Sequence, residues 1–410
     1  MTAAPSLPSS RAYSWDSVLS TYLPALILGL GVGIALPAVP LLAKSFNVGF
    51  GLASLVLTVF LLGGMVGSLP TGSLIDRIGR RKVLLAGPLV TSVMALLTVT
   101  AQTFPELLAY RFLDGWAAQM WLMARMTGIA AGTAPGQRAR QITLLIGMDN
   151  TGRLLGPVAG GFIATAWGLR SPFVAYGILA LLALASSAKF AAQDESREPI
   201  RKPLPGEERL TFRQLVLPRL PFFGVIFFSA IARAPIFSDL LHLYAAFTYG
   251  LNARSIGFLA AGSSGISVPV GMFAGYLMDR LGRKRTLIPS FIGITCAMSL
   301  LGVSAFLHLT LWWYVGLFLL AVTVQSLASG STQTLGTDIA PEEARGRFLG
   351  AWQLFNQIGT SLSPLAFAFI ADGAGYGWSF VFVATAAAAV ATLLITAVPE
   401  THHRSYHLTD

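Results

Sequence analysis

Long apolar stretches broken by short polar ones run from one end of this chain to the other. Two of them, VLLAGPLVTSVMALLTVTAQTF from Val83 and FVAYGILALLALASSA from Phe173, have about the length needed to cross a hydrocarbon layer of roughly 30 Å at about 1.5 Å per helical residue. Backbone amides in lipid need partners within their own segment, so helices are predicted, and the even alternation of a membrane barrel is absent. The pattern places twelve spans at 18–42, 50–75, 83–103, 106–131, 140–167, 172–191, 219–249, 255–278, 286–306, 309–337, 347–371 and 377–398. The opening MTAAPSLPSSRAYSWDS lacks the basic-then-apolar order of a secretory signal and reads as a short tail over 1–17. The charged, proline-rich AAQDESREPIRKPLPGEERLTFRQ reads as an exposed linker over 192–218. It separates two six-helix bundles, 18–191 and 219–398, and a second tail follows at 399–410.

Composition agrees with this pattern. Hydrophobic residues fill 54% of the 410 positions and charged ones 11%, proportions that a water-soluble globule cannot bury. A net charge of +10 raises nucleic acid as a partner until the bases are located. Arg77, Arg80, Arg81 and Lys82 follow span two, and Arg138 and Arg140 follow span four. Arg197, Arg201, Lys202, Arg209 and Arg213 fill the linker, Arg280, Arg283, Lys284 and Arg285 follow span eight, and Arg345 and Arg347 follow span ten. The opposite loops offer only Lys44, Arg170 and Arg254. This asymmetry follows the positive-inside rule, placing both tails and the linker on the cytoplasmic side of a cell membrane and arguing against nucleic acid. Cys296 is the only cysteine, so an intramolecular disulfide is impossible, and within an apolar span it reads as a buried structural thiol. The chain carries neither metal-ligand spacing nor a phosphate-binding Gly-x-x-x-x-Gly-Lys-Ser/Thr loop, so no metal or cofactor is expected and an ATP-driven pump is disfavoured.

The two halves repeat each other. GSLIDRIGRRK from Gly72 returns as GYLMDRLGRKR from Gly275, APGQRAR from Ala134 as APEEARGR from Ala340, and Gly156-Pro157 as Ser363-Pro364. Six helices duplicated in tandem form an architecture in which transporters place a site between halves that rock against each other. These residues also carry a family resemblance. Gly72-x-Leu74-Ile75-Asp76-Arg77-x-Gly79-Arg80-Arg81 resembles the loop motif between the second and third helices of the major facilitator superfamily. Arg111-x-x-x-Gly115 resembles that superfamily's fourth-helix arginine motif, and Gly152-x-x-x-Gly156-Pro157-x-x-Gly160-Gly161 the fifth-helix motif of its drug:proton antiporters.

The resemblance implies an all-α membrane fold with 12 transmembrane helices in two pseudo-symmetric six-helix bundles. It also implies a cytoplasmic latch, built from Asp76, Arg77, Gly79 and Arg80 with a second copy at Asp279, Arg280, Gly282 and Arg283. The Asp76 cluster would dock near Arg345 when the cavity opens outward. Physically, a carboxylate at a helix end is attracted to the N-terminal amides of another helix, and Gly79 and Gly282 suit turns with positive φ. The resemblance further assigns Gly152, Gly156, Pro157, Gly160 and Gly161 to a seal against the second half that limits proton leak.

Charges inside the spans are costly at membrane depth and normally face a partner or a wet cavity. Arg111 and Asp114 are three apart and Asp149 and Arg153 four apart, so each pair shares a helix face. Span seven carries Arg233, Asp239 and His242, with a kink expected at Pro235. Such acid–arginine pairs read either as coupling switches, in which protonation frees the cation for an anion, or as permanent interhelical clamps. Trp116, Gln119, Asn150, Gln325, Gln353 and Asn356 are candidate cavity-lining residues, and Arg125 reads as a snorkelling or gating residue. The expectation is a monomeric, non-enzymatic secondary transporter that exports a small organic molecule in exchange for protons. Its rival is a facilitator or proton symporter of organic anions, because Arg111, Arg153 and Arg233 favour negative charge. Many antiporters of the resembled branch carry an acid in the first helix; this chain has none from Val18 to Leu42, so coupling falls to Asp114, Asp149 or Asp239. An intramembrane hydrolase lacks a nucleophile–base signature here, and a receptor built on this fold usually adds a long soluble domain.

Overall fold

The computed structural model describes residues 15–132, 135–190, 216–328, 332, 335–336, 339–341 and 345–398. The expected tails and most of the 192–218 linker lie outside the described residues. Within them the chain is helical: α1 (Trp15–Ala35), α2 (Val39–Lys44), α3 (Phe50–Ile78), α4 (Arg80–Thr100), α5 (Phe104–Gly132), α6 (Pro135–Trp167) and α7 (Ser171–Phe190). The second half supplies α8 (Leu220–Phe237), α9 (Leu240–Thr248), α10 (Ala253–Leu281), α11 (Arg283–Phe306), α12 (Leu311–Ser326), α13 (Arg345–Ala374) and α14 (Tyr376–Thr396).

Nine described stretches are long and apolar enough to cross a membrane, and α12 is a shorter apolar helix. With α5 and α6, which carry the charged pairs, they make the twelve crossings. Two crossings are broken. The first changes at Leu36–Ala38 into a tighter turn around Pro37 before α2. The seventh breaks at Ser238–Asp239, where Asp239 adopts φ 62°, three residues after the kink expected at Pro235. Proline does remove an amide there, but the carbonyl it frees, that of Ile231, accepts a 2.7 Å hydrogen bond from the Ser363 hydroxyl of α13, so α8 continues past Pro235. In the tenth crossing α12 gives way to a turn at 327–328, and the described residues Thr332, Leu335 and Gly336 beyond it, within the expected span to 337, are helical again.

Cys296 is exposed, not buried as its sequence context implied. Trp167, Met272, Trp312 and Phe369 are exposed by between 71% and 80% as well. Lipid is as apolar as a protein core, so an apolar side chain gains little from turning inward.

The halves are built alike. In the first, α1 packs on α6 and α7, α3 on α5, and α4 on α5 and α7; in the second, α8 packs on α13 and α14, α10 on α12, and α11 on α12 and α14. Gly79 at φ 90° and Gly282 at φ 96° make the equivalent turns into α4 and α11, as their missing Cβ permits. Between the halves α6 meets α10, α3 meets α13, and α9 reaches α2 and α3.

Candidate functional site

The first charged pair is locked. Arg111 Nη1 lies 2.9 Å from Asp114 Oδ2, and both residues are buried. The Tyr176 hydroxyl of α7 donates to the other carboxylate oxygen at 3.1 Å, and Thr91 of α4 also interacts with it. The Arg111 guanidinium sits 4.6 Å from the centre of the Phe60 ring. Asp114 therefore ties α4, α5 and α7 together through charge-assisted hydrogen bonds, although Arg111 Nε is buried without a partner. A side chain at Gly31 would collide with the Tyr176 ring, so that glycine makes room for the phenol.

The second pair is looser. Arg153 Nε contacts Asp149 Oδ2 at 2.8 Å, but the two side chains remain 44% and 28% exposed. Asp239, from the opposite half, acts electrostatically on the same guanidinium. Asp239 Oδ1 is in turn 3.3 Å from His242 Nδ1, whose imidazole is buried edge-on to Phe318 with Nε2 unpaired. These four groups straddle the interface at the break in the seventh crossing. An acid whose cation belongs to the other half changes its surroundings whenever the halves move, as a coupling group must. Arg233 stands apart, with only a 3.4 Å contact from Nη1 to the Thr332 hydroxyl and the Phe237 ring at 5.1 Å.

The glycine motif divides between two neighbours. Side chains at Gly152, Gly156 and Gly160 would strike α1 at Leu26–Leu30, Gly33 and Ile34, whereas Gly161 abuts Ala253 and Arg254, and the Pro157 carbonyl abuts Gly257 of α10. Only the Pro157–Gly161 edge meets the second half. Fourfold spacing puts residues 152, 156 and 160 on one face and 157 and 161 on the next.

One end of the interface is closed. The Gly51 amide at the start of α3 donates to both carboxylate oxygens of Asp372, at 3.2 and 3.0 Å. Lys44 Nζ donates to the Ala246 carbonyl at 3.0 Å, and Phe50 packs against Phe247, Phe367 and Tyr376 with ring centres 5.0 to 6.1 Å apart. These contacts between the halves lie toward that end and the middle of the bundle; a side chain added at Gly72, Gly79, Gly147, Gly275 or Gly350 would meet nothing within 4 Å, and the same holds at Gly373 and Gly375 beside Asp372. Asp76 and Arg77 are exposed, and Asp76 has no ion-pair partner among the described residues. Arg280 is also exposed and lies 4.7 Å from the Tyr276 ring. The side chains of Asp279, Arg283 and Arg345 lie outside the described residues.

Asp372 and Tyr176 had no place among the residues picked out from sequence, and Lys44 appeared only as a loop charge. Asp372 is an acid at the edge of a span, a weak signal without knowledge of a partner 321 positions away. Asp372→Asn is expected to loosen the closed end by about 1 kcal/mol, the usual worth of a helix cap. Ala246→Cys in a Cys296→Ser background should then react about fivefold faster with an impermeant maleimide; an unchanged rate would count against the seal.

The expected cavity residues scatter. Trp116 donates its indole N–H to Thr71 at 3.1 Å, Gln325 is buried with its carbonyl unpaired, Gln119 and Asn356 are half-buried, and Asn150 and Gln353 are exposed. Arg125, expected to snorkel or to gate, is buried, which fits gating better than snorkelling.

Comparison with known proteins follows the same lines. Quinolone resistance protein NorA of Staphylococcus aureus (strain MRSA252) is 29% identical over 167 residues, covering 40% of this chain and 42% of that protein. Multidrug resistance protein 2 of Bacillus subtilis (strain 168) is 24% identical over 261 residues, 62% of this chain and 65% of that one. The matches thus span less than two thirds of either relative. Among solved structures, a D-xylose-proton symporter superposes with a TM-score of 0.75 at 18% identity, covering 95% of this chain and 99% of that one. A POT family transporter in complex with a thioalcohol conjugated peptide gives 0.73 at 13% identity, covering 93% and 95%. The Major Facilitator Superfamily profile matches residues 22–364 and 222–409. With the duplicated bundle, the loop motif and the profile in agreement, the chain belongs to the Major Facilitator Superfamily.

Proposed function

We propose that this chain exports small organic molecules across the cell membrane in exchange for protons, by alternating access, with the Asp76 end, both tails and the linker in the cytoplasm. The observation that carries this reading is the interface itself. It is tied shut at the Gly51–Asp372 end and holds Asp149, Arg153, Asp239 and His242 where the two halves meet. The resistance-protein names of the two relatives support an outward direction. On this reading Asp114 is a clamp, and Asp149 or Asp239 carries the proton.

The test is uptake of a fluorescent quinolone into inverted vesicles bearing the reconstituted protein, with an acidic interior imposed. Accumulation that collapses with a protonophore is expected; accumulation indifferent to the gradient would refute exchange. Asp76→Asn is expected to slow turnover about fivefold while ligand affinity stays within about twofold, because a charge at a helix N-terminus contributes about 1 kcal/mol to one conformation only. Loss of affinity with unchanged turnover would contradict the latch. A second reading, a facilitator or proton symporter of organic anions, is favoured by the isolated guanidinium of Arg233, and the same vesicles with the gradient reversed separate the two.

A further inference from the structure

We infer that Arg233 is the carboxylate-recognition point of the transport site, so that this chain takes small organic acids, zwitterions included, in preference to compounds lacking an anionic group. The inference rests on reading the chain as a transporter of small organic molecules, and it holds for either direction of transport. Beside Arg125, which is buried in α5, three arginines set inside the crossings can be compared directly. Arg111 is neutralised by Asp114 at 2.9 Å and Arg153 by Asp149 at 2.8 Å. Arg233 has no carboxylate partner among the described residues.

A guanidinium stays charged in a protein and presents five N–H donors in a planar fork. Around Arg233 those donors find little: Nη1 has a long 3.4 Å contact to the Thr332 hydroxyl, and Nε is buried with no partner. Removing a cation from water without a counter-charge is strongly unfavourable, and such groups inside a membrane bundle mark pathways for a ligand. The residue still keeps part of its surface accessible, so the fork is not sealed off. Arg233 lies on α8 just before the break at Ser238–Asp239, the kind of interrupted crossing around which transporters build sites. A carboxylate would meet the fork in two parallel hydrogen bonds. The Phe237 ring, with its centre 5.1 Å from the guanidinium carbon, offers an apolar surface beside that contact. Neither Asp114 nor Asp149 is needed, so anion binding and proton carriage use separate residues.

The experiment measures binding to the full-length protein in lipid nanodiscs, using a quinolone carboxylic acid and 1-naphthoate, each against its own methyl ester. The wild type is expected to bind each acid at least about tenfold more tightly than its ester, as loss of a charged hydrogen-bonded partner implies. Arg233→Gln should erase that preference and Arg233→Lys should keep a reduced one, since the ammonium retains the charge without the fork. Absence of preference in the wild type, whether both compounds bind or neither does, overturns the inference, as does a preference that survives Arg233→Gln. If Arg233→Gln does not fold, the wild-type ratio and its fall in Arg233→Lys decide. Equal handling of acid and ester alongside gradient-driven export overturns this inference alone. Arg233-dependent acid binding without movement in vesicles overturns the transport reading alone.

Discussion

Asp114→Ala is expected to lower the stability of the folded chain by about 3–5 kcal/mol, the penalty for stranding a buried cation by removing its partner. The stranded group is Arg111, whose Nη1 loses its 2.9 Å contact, while the Tyr176 hydroxyl loses its acceptor. Asp149→Ala should cost no more than about 1 kcal/mol, because that pair is partly solvated and solvent screens it. The functional effects should run differently. Asp149→Ala is expected to leave a folded protein whose transport no longer responds to a pH gradient but still exchanges substrate for substrate. Thermal unfolding in detergent and vesicle flux measured on the same preparations check both halves of the claim. If Asp149→Ala proves the more destabilising, or Asp114→Ala unfolds like the wild type, the division into clamp and coupling pair is wrong.

Gly160→Ala carries the second large effect. Its methyl group would fall on the Ile34 carbonyl of α1, and the Gly115→Ala methyl would fall on the Phe60 carbonyl of α3. Backbone cannot swing aside as a side chain does, so α1 would have to part from α6, or α3 from α5. Overpacking of this kind costs about 1–3 kcal/mol even against side chains, and both variants should show sharply reduced yield of folded protein. Gly147→Ala is the control: its methyl would meet nothing within 4 Å, and replacing a helical glycine there should stabilise by up to about 1 kcal/mol. Equal yields from all three would remove the close-contact account of the fifth-helix motif.

Much of this architecture is legible in the sequence because a bilayer permits so few solutions. Length and apolarity locate the crossings, and the repeated Asp76 and Asp279 strings announce the duplication. The short-range pairs were also readable, since three or four positions along a helix bring side chains onto one face. What could not be read depends on which neighbour a face meets. A helix apolar all round carries no stripe to separate core from lipid, and Cys296 was misplaced for that reason. The glycine motif gave its spacing but not its division between α1 and α10. The helix runs on past Pro235 to Phe237 while Ser363, 132 positions away, satisfies the carbonyl that Pro235 frees, and nothing local in the sequence moves the break to Ser238–Asp239. The closed end is the extreme case: Gly51 with Asp372 and Lys44 with Ala246 join positions 321 and 202 apart, and nothing local marks them as partners.

The interruption at Ser238–Asp239 acts as a joint in what would otherwise be a single rod. Beyond it, α9 is fastened to the opposite half through Lys44 and Phe50, while α8 is bedded on α13 and α14 of its own. A rigid crossing would drag the lid whenever the bundle tilted. On the proposed transport reading, a hinged one would let α8 swivel under a cover that stays put, so that Arg233 would release its cargo before the far door began to open.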